Sequence, residues 1–209
     1  MIRDVLNKIE EEHNAQRIIG WCPLPKALDL AMLVFTLRPR VIVETGVYGG
    51  KSFFPMALAC KELNHGVVHG IDGWNVVDST EGYVGENLAW WGKLDHEAIF
   101  QSFMGNMARL DVSKFCHVHR QNSDAAPVPD VIDIFHSDSQ HSEVVLREIE
   151  RYGKKVRRGG VIVLDDLGWL NGSQCHVGQA VEKLLSSGFI ELYRTKTDDG
   201  YWGVFQRVR

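Results

Sequence analysis

The chain has 209 residues and a formal net charge of −4, which suits a single domain with a sizeable core and leaves no basic footprint for nucleic acid. The opening MIRDVLNKIEEEHN is too charged for a signal peptide. The longest apolar segment, Ala27–Leu37, contains Asp29 and is too short to span a bilayer. Ile2, Val5, Leu6 and Ile9 share one face of an amphipathic helix expected from Ile2 to about Ile19. After a Pro23–Pro25 turn, a more apolar helix runs from Ala27 and stops before Pro39, because a residue preceding proline is pushed out of the helical region. Together they make an N-terminal helical extension over residues 1–40. Val41–Glu44 reads as the first core strand, followed by a glycine-rich turn and a helix from about Ser52 to Leu63. A second strand, Val67–Asp72, follows the Asn64–Gly66 turn. The connection 74–95 carries Trp74, Tyr83, Trp90 and Trp91, expected either to lid a site or to pack in a core or dimer contact, and a helix from about Asp95 to Leu110 comes next.

Cys116–Arg120 is a weak strand and Val131–Phe135 a stronger one. Val145, Ile149, Tyr152 and Val156 then mark the buried face of a helix, whose end would carry the basic cluster Lys154, Lys155, Arg157 and Arg158 as a complement to the helix dipole. The strand Val161–Leu164, a helix near Val177–Ser187, the strand Ile190–Thr195, a turn at Thr197–Gly200 and the strand Tyr201–Arg207 complete the chain. Strands alternating with helices argue for a doubly wound α/β sandwich, mostly parallel, with an antiparallel C-terminal hairpin. Cys22, Cys60, Cys116 and Cys175 have no CxxC spacing and read as reduced thiols of a cytoplasmic protein.

Four strand-like stretches finish in carboxylates: VIVETG at Glu44, VVHGIDGW at Asp72, VIDIFHSDSQH at Asp138, and VIVLDD at Asp165 and Asp166. Ligands of an open parallel sheet sit outside the carboxyl ends of its strands, so these acids are expected around one cavity. Buried carboxylates are costly unless paired. Their convergence therefore calls for cations: a positively charged cofactor near Glu44, and Mg²⁺ or Mn²⁺ between Asp138, Asp165 and Asp166.

The turn Glu44-Thr45-Gly46-Val47-Tyr48-Gly49-Gly50-Lys51-Ser52 lacks the dinucleotide fingerprint, and a pyrophosphate over it would face Glu44 at short range. S-adenosylmethionine carries an ammonium and a sulfonium instead, and Asp72 stands where an acid accepts from ribose hydroxyls. Glu44, Gly46 and Gly50 resemble the first motif of class I S-adenosylmethionine-dependent methyltransferases, with Tyr48 replacing the usual middle glycine. The resemblance covers roughly Val41 to Leu167 and implies a Rossmann-like fold, with residues 1–209 forming a single methyltransferase domain. It also implies a cofactor site drawn from Glu44, Thr45, Gly46, Tyr48, Gly50, Ser52, Asp72, Trp74, Asn122 and Ser123, the last two of which serve equally well as turn formers.

The stretch HSDSQHSEVVLREIERYGKKVRRGGVIVLDD resembles that of bacterial metal-dependent O-methyltransferases acting on sugars of natural products. By that likeness Asp138, Asp165 and Asp166 bind the metal. His141 is the general base, a role that Gln140 cannot take because an amide accepts no proton. The acceptor would be a small-molecule hydroxyl of a sugar or other vicinal diol, catechols included, with no nucleic acid or membrane partner; a homodimer is left open. Three rivals stand: an iron site of His136, Asp138 and His141 in an oxygenase, a nicotinamide-dependent oxidoreductase, and a non-catalytic S-adenosylmethionine-binding protein.

Overall fold

The computed structural model describes residues 1–209. In chain order the elements are α1 (Ile2–Asn14), α2 (Leu24–Leu37), β1 (Val41–Thr45), α3 (Phe53–Leu63), β2 (Val67–Asp72), α4 (Val76–Ser79), α5 (Gly85–Trp91), α6 (His96–Arg109), β3 (Cys116–Arg120), β4 (Ile132–Ser137), α7 (Glu143–Arg151), β5 (Val156–Leu164), α8 (His176–Ser186), β6 (Phe189–Thr197) and β7 (Gly200–Arg207). The seven strands form one sheet in the order β3-β2-β1-β4-β5-β7-β6. Strands β1 to β5 run parallel, and β7 is antiparallel to both β5 and β6. This is the Rossmann-like doubly wound sandwich with an antiparallel hairpin at one edge.

Successive strand residues face opposite sides of a sheet, and the two cores divide accordingly. Ile42, Val68, Ile134 and Val163 pack beneath α1, α2, α3 and α6. Val43, Ile71, Phe135 and Ile162 pack beneath α7 and α8, through Val145, Ile149, Ala180 and Leu184. The strand order reverses at β1, which pairs with β2 on one side and β4 on the other. That reversal opens a crevice at the carboxyl ends of these strands, where the acids stand.

The main differences from the sequence expectation fall at three helix boundaries. Helix α1 ends at Asn14 rather than near Ile19, because Gln16 turns into the left-handed region at φ 51°. Helix α2 begins at Leu24 rather than Ala27; Pro25 sits in its first turn, where a missing N–H costs no helical hydrogen bond. Helix α7 stops at Arg151, so Val156 lies at the start of the nine-residue strand β5 and not on a helix face. The basic cluster therefore caps no dipole as a group: Lys154 pairs with Glu150 and Arg157 with Asp133. No helix is long and apolar enough to cross a membrane.

Candidate active site

Strands β4 and β5 end side by side. Asp138 N donates to Thr45 O of β1 at 3.0 Å, and Asp165 N donates to Ser137 O of β4 at 3.2 Å. These two bonds set the carboxylates of Asp138 and Asp165 next to each other. Between them lies a cation that sequence reasoning missed. Lys26, in the first turn of α2 and 0% exposed, places Nζ 3.1 Å from Asp138 Oδ2 and in direct contact with Asp165 Oδ2. Burial opposes the charged ammonium, but the two acids outweigh it and hold the Lys26 pKa above its ordinary value. Burial, then the neighbouring Asp165 charge, pushes Asp138 well above the usual carboxylate range. Asp165 is penalised by the same burial, yet Lys26 and the Asp138 hydrogen bond keep it below that range. The ammonium is the cation these two carboxylates share.

Asp166 turns the other way, at φ 51°, and its Oδ2 meets His141 Nε2 at 2.6 Å. His141 Nδ1 lies 2.6 Å from Ser139 O. A carbonyl can only accept, so Nδ1 carries a hydrogen and the Nε2–Asp166 contact needs one further proton. Burial, followed by the Asp165 charge, raises Asp166 to about 7. Burial also lowers His141 to about 4. These opposite shifts favour the shared proton on Asp166 beside a neutral imidazole below about pH 7. His141 N donates to the Tyr83 hydroxyl at 3.2 Å, and Trp169 stands edge-on to its ring, 5.4 Å between centroids.

His136 is fully buried beneath the acids, its Nδ1 3.6 Å from Glu44 Oε1 and its Nε2 3.7 Å from Asp138 Oδ2. Neither nitrogen has a hydrogen-bond partner. Glu44, His136 and Asp138 could present ligand atoms within 4.8 Å of one another. The oxygenase rival required His141 in that set, but His141 is turned to Asp166.

A cavity of about 390 Å³ opens above the strand ends. Of the expected cofactor residues, Gly46, Tyr48, Ser52, Asp72 and Trp74 line it, as do Asp138, His141, Asp165 and Asp166. Glu44, Thr45, Gly50, Asn122 and Ser123 do not. Glu44 was expected to meet the cofactor but lies fully buried under the turn, where Ser52 Oγ donates to its Oε1 at 2.5 Å. Thr45 donates to Glu148, a buried carboxylate that also takes the hydroxyls of Ser137 and Ser139. A Cβ on Gly50 would strike Phe54 and Phe103, so this glycine serves packing. Asn122 donates to Asp78 and Glu81, and Ser123 O accepts from Tyr152.

Asp72 accepts from the backbone of Tyr48 at 2.9 Å and of Trp74 at 2.7 Å. Burial raises its pKa against the pull of those two bonds. Tyr48 and Trp74 both hold positive φ, 51° and 44°. The tyrosine thus keeps the left-handed backbone that a glycine would adopt freely. With Asp166, three strained non-glycine residues surround one cavity, a pattern that clusters at functional sites. The Tyr48 ring stacks on Trp21 at 5.3 Å, and Trp90 and Trp91 close against Trp21 at 5.1 and 6.0 Å. The aromatic connection 74–95 is therefore divided: Trp74 and Tyr83 are buried anchors, while Trp90 and Trp91 also line the cavity from above. Trp21, 60% exposed, belongs to the same wall and gave no sequence signal.

A family model described as a methyltransferase domain matches residues 43–167. The fold is similar to that of the O-methyltransferase TomG from Streptomyces achromogenes, involved in tomaymycin synthesis and solved with S-adenosylmethionine; the TM-score is 0.66 at 17% identity, covering 98% of this chain and 90% of that one. The O-methyltransferase NovP gives 0.67 at 18% identity, covering 89% and 81%. An O-methyltransferase from Bacillus cereus in complex with S-adenosylhomocysteine gives 0.59 at 16%, covering 98% and 91%. No curated protein matches the chain. The family match runs from the glycine turn through Asp72 and Asp138 to the Asp165–Asp166 pair, more than half of the sequence, and the chain belongs to the methyltransferase domain family.

Proposed function

We propose that the protein moves a methyl group from S-adenosylmethionine to a hydroxyl of a small molecule carrying adjacent oxygens, a sugar or other vicinal diol, with Mg²⁺ or Mn²⁺ at the strand-end acids. The observation that carries this reading is that Asp138, Asp165 and Asp166 line one cavity together with the Gly46–Tyr48 turn and Asp72. The donor set is all oxygen, which suits a hard divalent ion, and the Lys26 ammonium shows that two of the acids already share a cation. When bound, the metal would lower the pKa of a coordinated hydroxyl, and S-adenosylmethionine would supply the methyl group.

The chain's own residues divide the remaining work. Asp72, held by two backbone N–H groups, keeps lone pairs for ribose hydroxyls. The Gly46 turn lets a ligand approach the backbone closely. His141 takes the acceptor proton on Nε2 once that atom is released from Asp166, while the Ser139 carbonyl keeps Nδ1–H in place and fixes the tautomer. Trp21, Trp90 and Trp91 give the cavity an aromatic wall against which an acceptor can pack. The relatives TomG and NovP, both O-methyltransferases, favour an oxygen acceptor. Calorimetry tests the cofactor half: S-adenosylmethionine and S-adenosylhomocysteine bind and NAD does not. Tight NAD binding with no S-adenosylmethionine binding would replace this reading with the oxidoreductase.

A further inference from the structure

We propose that the Lys26 ammonium and a divalent cation compete for Asp138 and Asp165, so that metal binding displaces Lys26 from the acid cluster. The inference rests on the metal part of the function proposed above. Lys26 Nζ engages Oδ2 of both acids, and a divalent ion would need carboxylate oxygens of the same two side chains. Two cations would then stand a few ångströms apart in a buried site, where charges interact far more strongly than in water. The geometry leaves room for one of them between these carboxylates.

Docking of α2 does not depend on the ion pair. Ala27, Leu30, Ala31 and Val34 bury the helix against the core. Asp29 accepts from the Tyr193 hydroxyl at 2.5 Å and from Trp202 Nε1 at 2.9 Å. Lys26 is thus free to release its partners while the helix stays in place. The segment leading into it supplies Gly20, Trp21 and Pro23 to the cavity wall. Lys26 acts here as a positioning residue: it holds two carboxylates together and yields them to a stronger cation.

The test is Mn²⁺ binding to the full chain, read by electron paramagnetic resonance, for wild type, Lys26→Met and Lys26→Arg. Lys26→Met should bind Mn²⁺ on the order of 10²-fold more tightly than wild type, because a buried competing charge is gone. Lys26→Arg, which keeps the charge, should show no such gain. Equal or weaker binding by Lys26→Met overturns the competition while leaving the metal reading in place. Absence of binding by wild type and Lys26→Met alike overturns the metal reading itself, and the competition with it. Wild-type protein provides an independent measurement should Lys26→Met fold poorly. Acetylation of the Lys26 amine, read by peptide mass spectrometry, should rise as Mn²⁺ saturates the protein. Unchanged protection of that amine with Mn²⁺ demonstrably bound also overturns the proposal.

Discussion

Replacing Gly46 with alanine should damage the site through backbone collision alone. Gly46 sits at φ +78°, and a Cβ there would lie 2.2 Å from Asp138 O, 2.5 Å from Asp138 C and 2.6 Å from Ser139 Cα. All three are backbone atoms, so no rotamer change relieves the contact. The turn cannot retreat easily, because Gly46 N donates to Ile71 O at 3.0 Å on its other flank. The end of β4 must instead move by about 1 Å to restore an ordinary contact. Left-handed backbone costs a non-glycine residue about 1–2 kcal/mol, and overpacking adds about 1–3 kcal/mol. A loss of about 2–5 kcal/mol lowers the Tm by roughly 5–15 °C in a domain of this size. The same shift moves Asp138 out of register with Asp165, and misplacement by about 1 Å can cost about 10²-fold in rate. Thermal unfolding and single-turnover methyl transfer measure the two effects. Gly105→Ala is the control: it lies in α6 with nothing within 4 Å of its added Cβ, and should be neutral or stabilising. A Gly46→Ala protein with wild-type Tm and rate would refute the reasoning.

Asp72→Ala should weaken S-adenosylmethionine binding about 10–100-fold by calorimetry, and should also lower the Tm, since it strands the N–H groups of Tyr48 and Trp74. His141→Ala should slow the chemical step by about 10²–10⁴-fold. The wild-type rate should rise with pH through a single ionisation, as His141 Nε2 loses the proton it shares and becomes free to accept another, and this limb should vanish in the variant. Glu12, clamped by Arg109 at 2.8 and 2.7 Å, is held at about 2 from an ordinary 4.5, chiefly by that hydrogen bonding. Its contribution to stability is present above pH 4.5 and is lost as pH falls toward 2. Glu12→Gln should therefore lower the Tm at neutral pH and flatten its acid limb over that window.

The strand-end acids were legible because parallel strands finish on one side of a sheet, so carboxylates closing separate strands must meet. Asp72, Asp138, Asp165 and Asp166 all reach the cavity for that reason. The fate of each carboxylate was less legible, because a neighbour outside its own strand decides it. Glu44 is claimed by Ser52 from the first turn beyond the loop and sinks beneath the cavity. Lys26 was invisible for a different reason. Its partners lie 112 and 139 residues away, and its helix reads only as an apolar run. The buried face expected for α7 extended to Val156 because valine fits helix and strand faces alike; the 3₁₀ turn Gly153–Lys155 breaks the helix first. Tyr48 in place of glycine weakened the motif in sequence, yet its positive φ keeps the turn's shape.

Metal-dependent methyl transfer is measured as S-adenosylhomocysteine formed from S-adenosylmethionine with a panel of sugar and catechol diols, before chelation, after exhaustive chelation, and after Mg²⁺ or Mn²⁺ is restored. Product should form in step with a methylated acceptor oxygen, both should be lost on chelation, and both should recover with the metal. Full activity after chelation would leave Asp138, Asp165 and Asp166 without a metal role. No product from any hydroxyl acceptor, in folded protein that binds S-adenosylmethionine and holds the metal, would rule out O-methyl transfer to a diol.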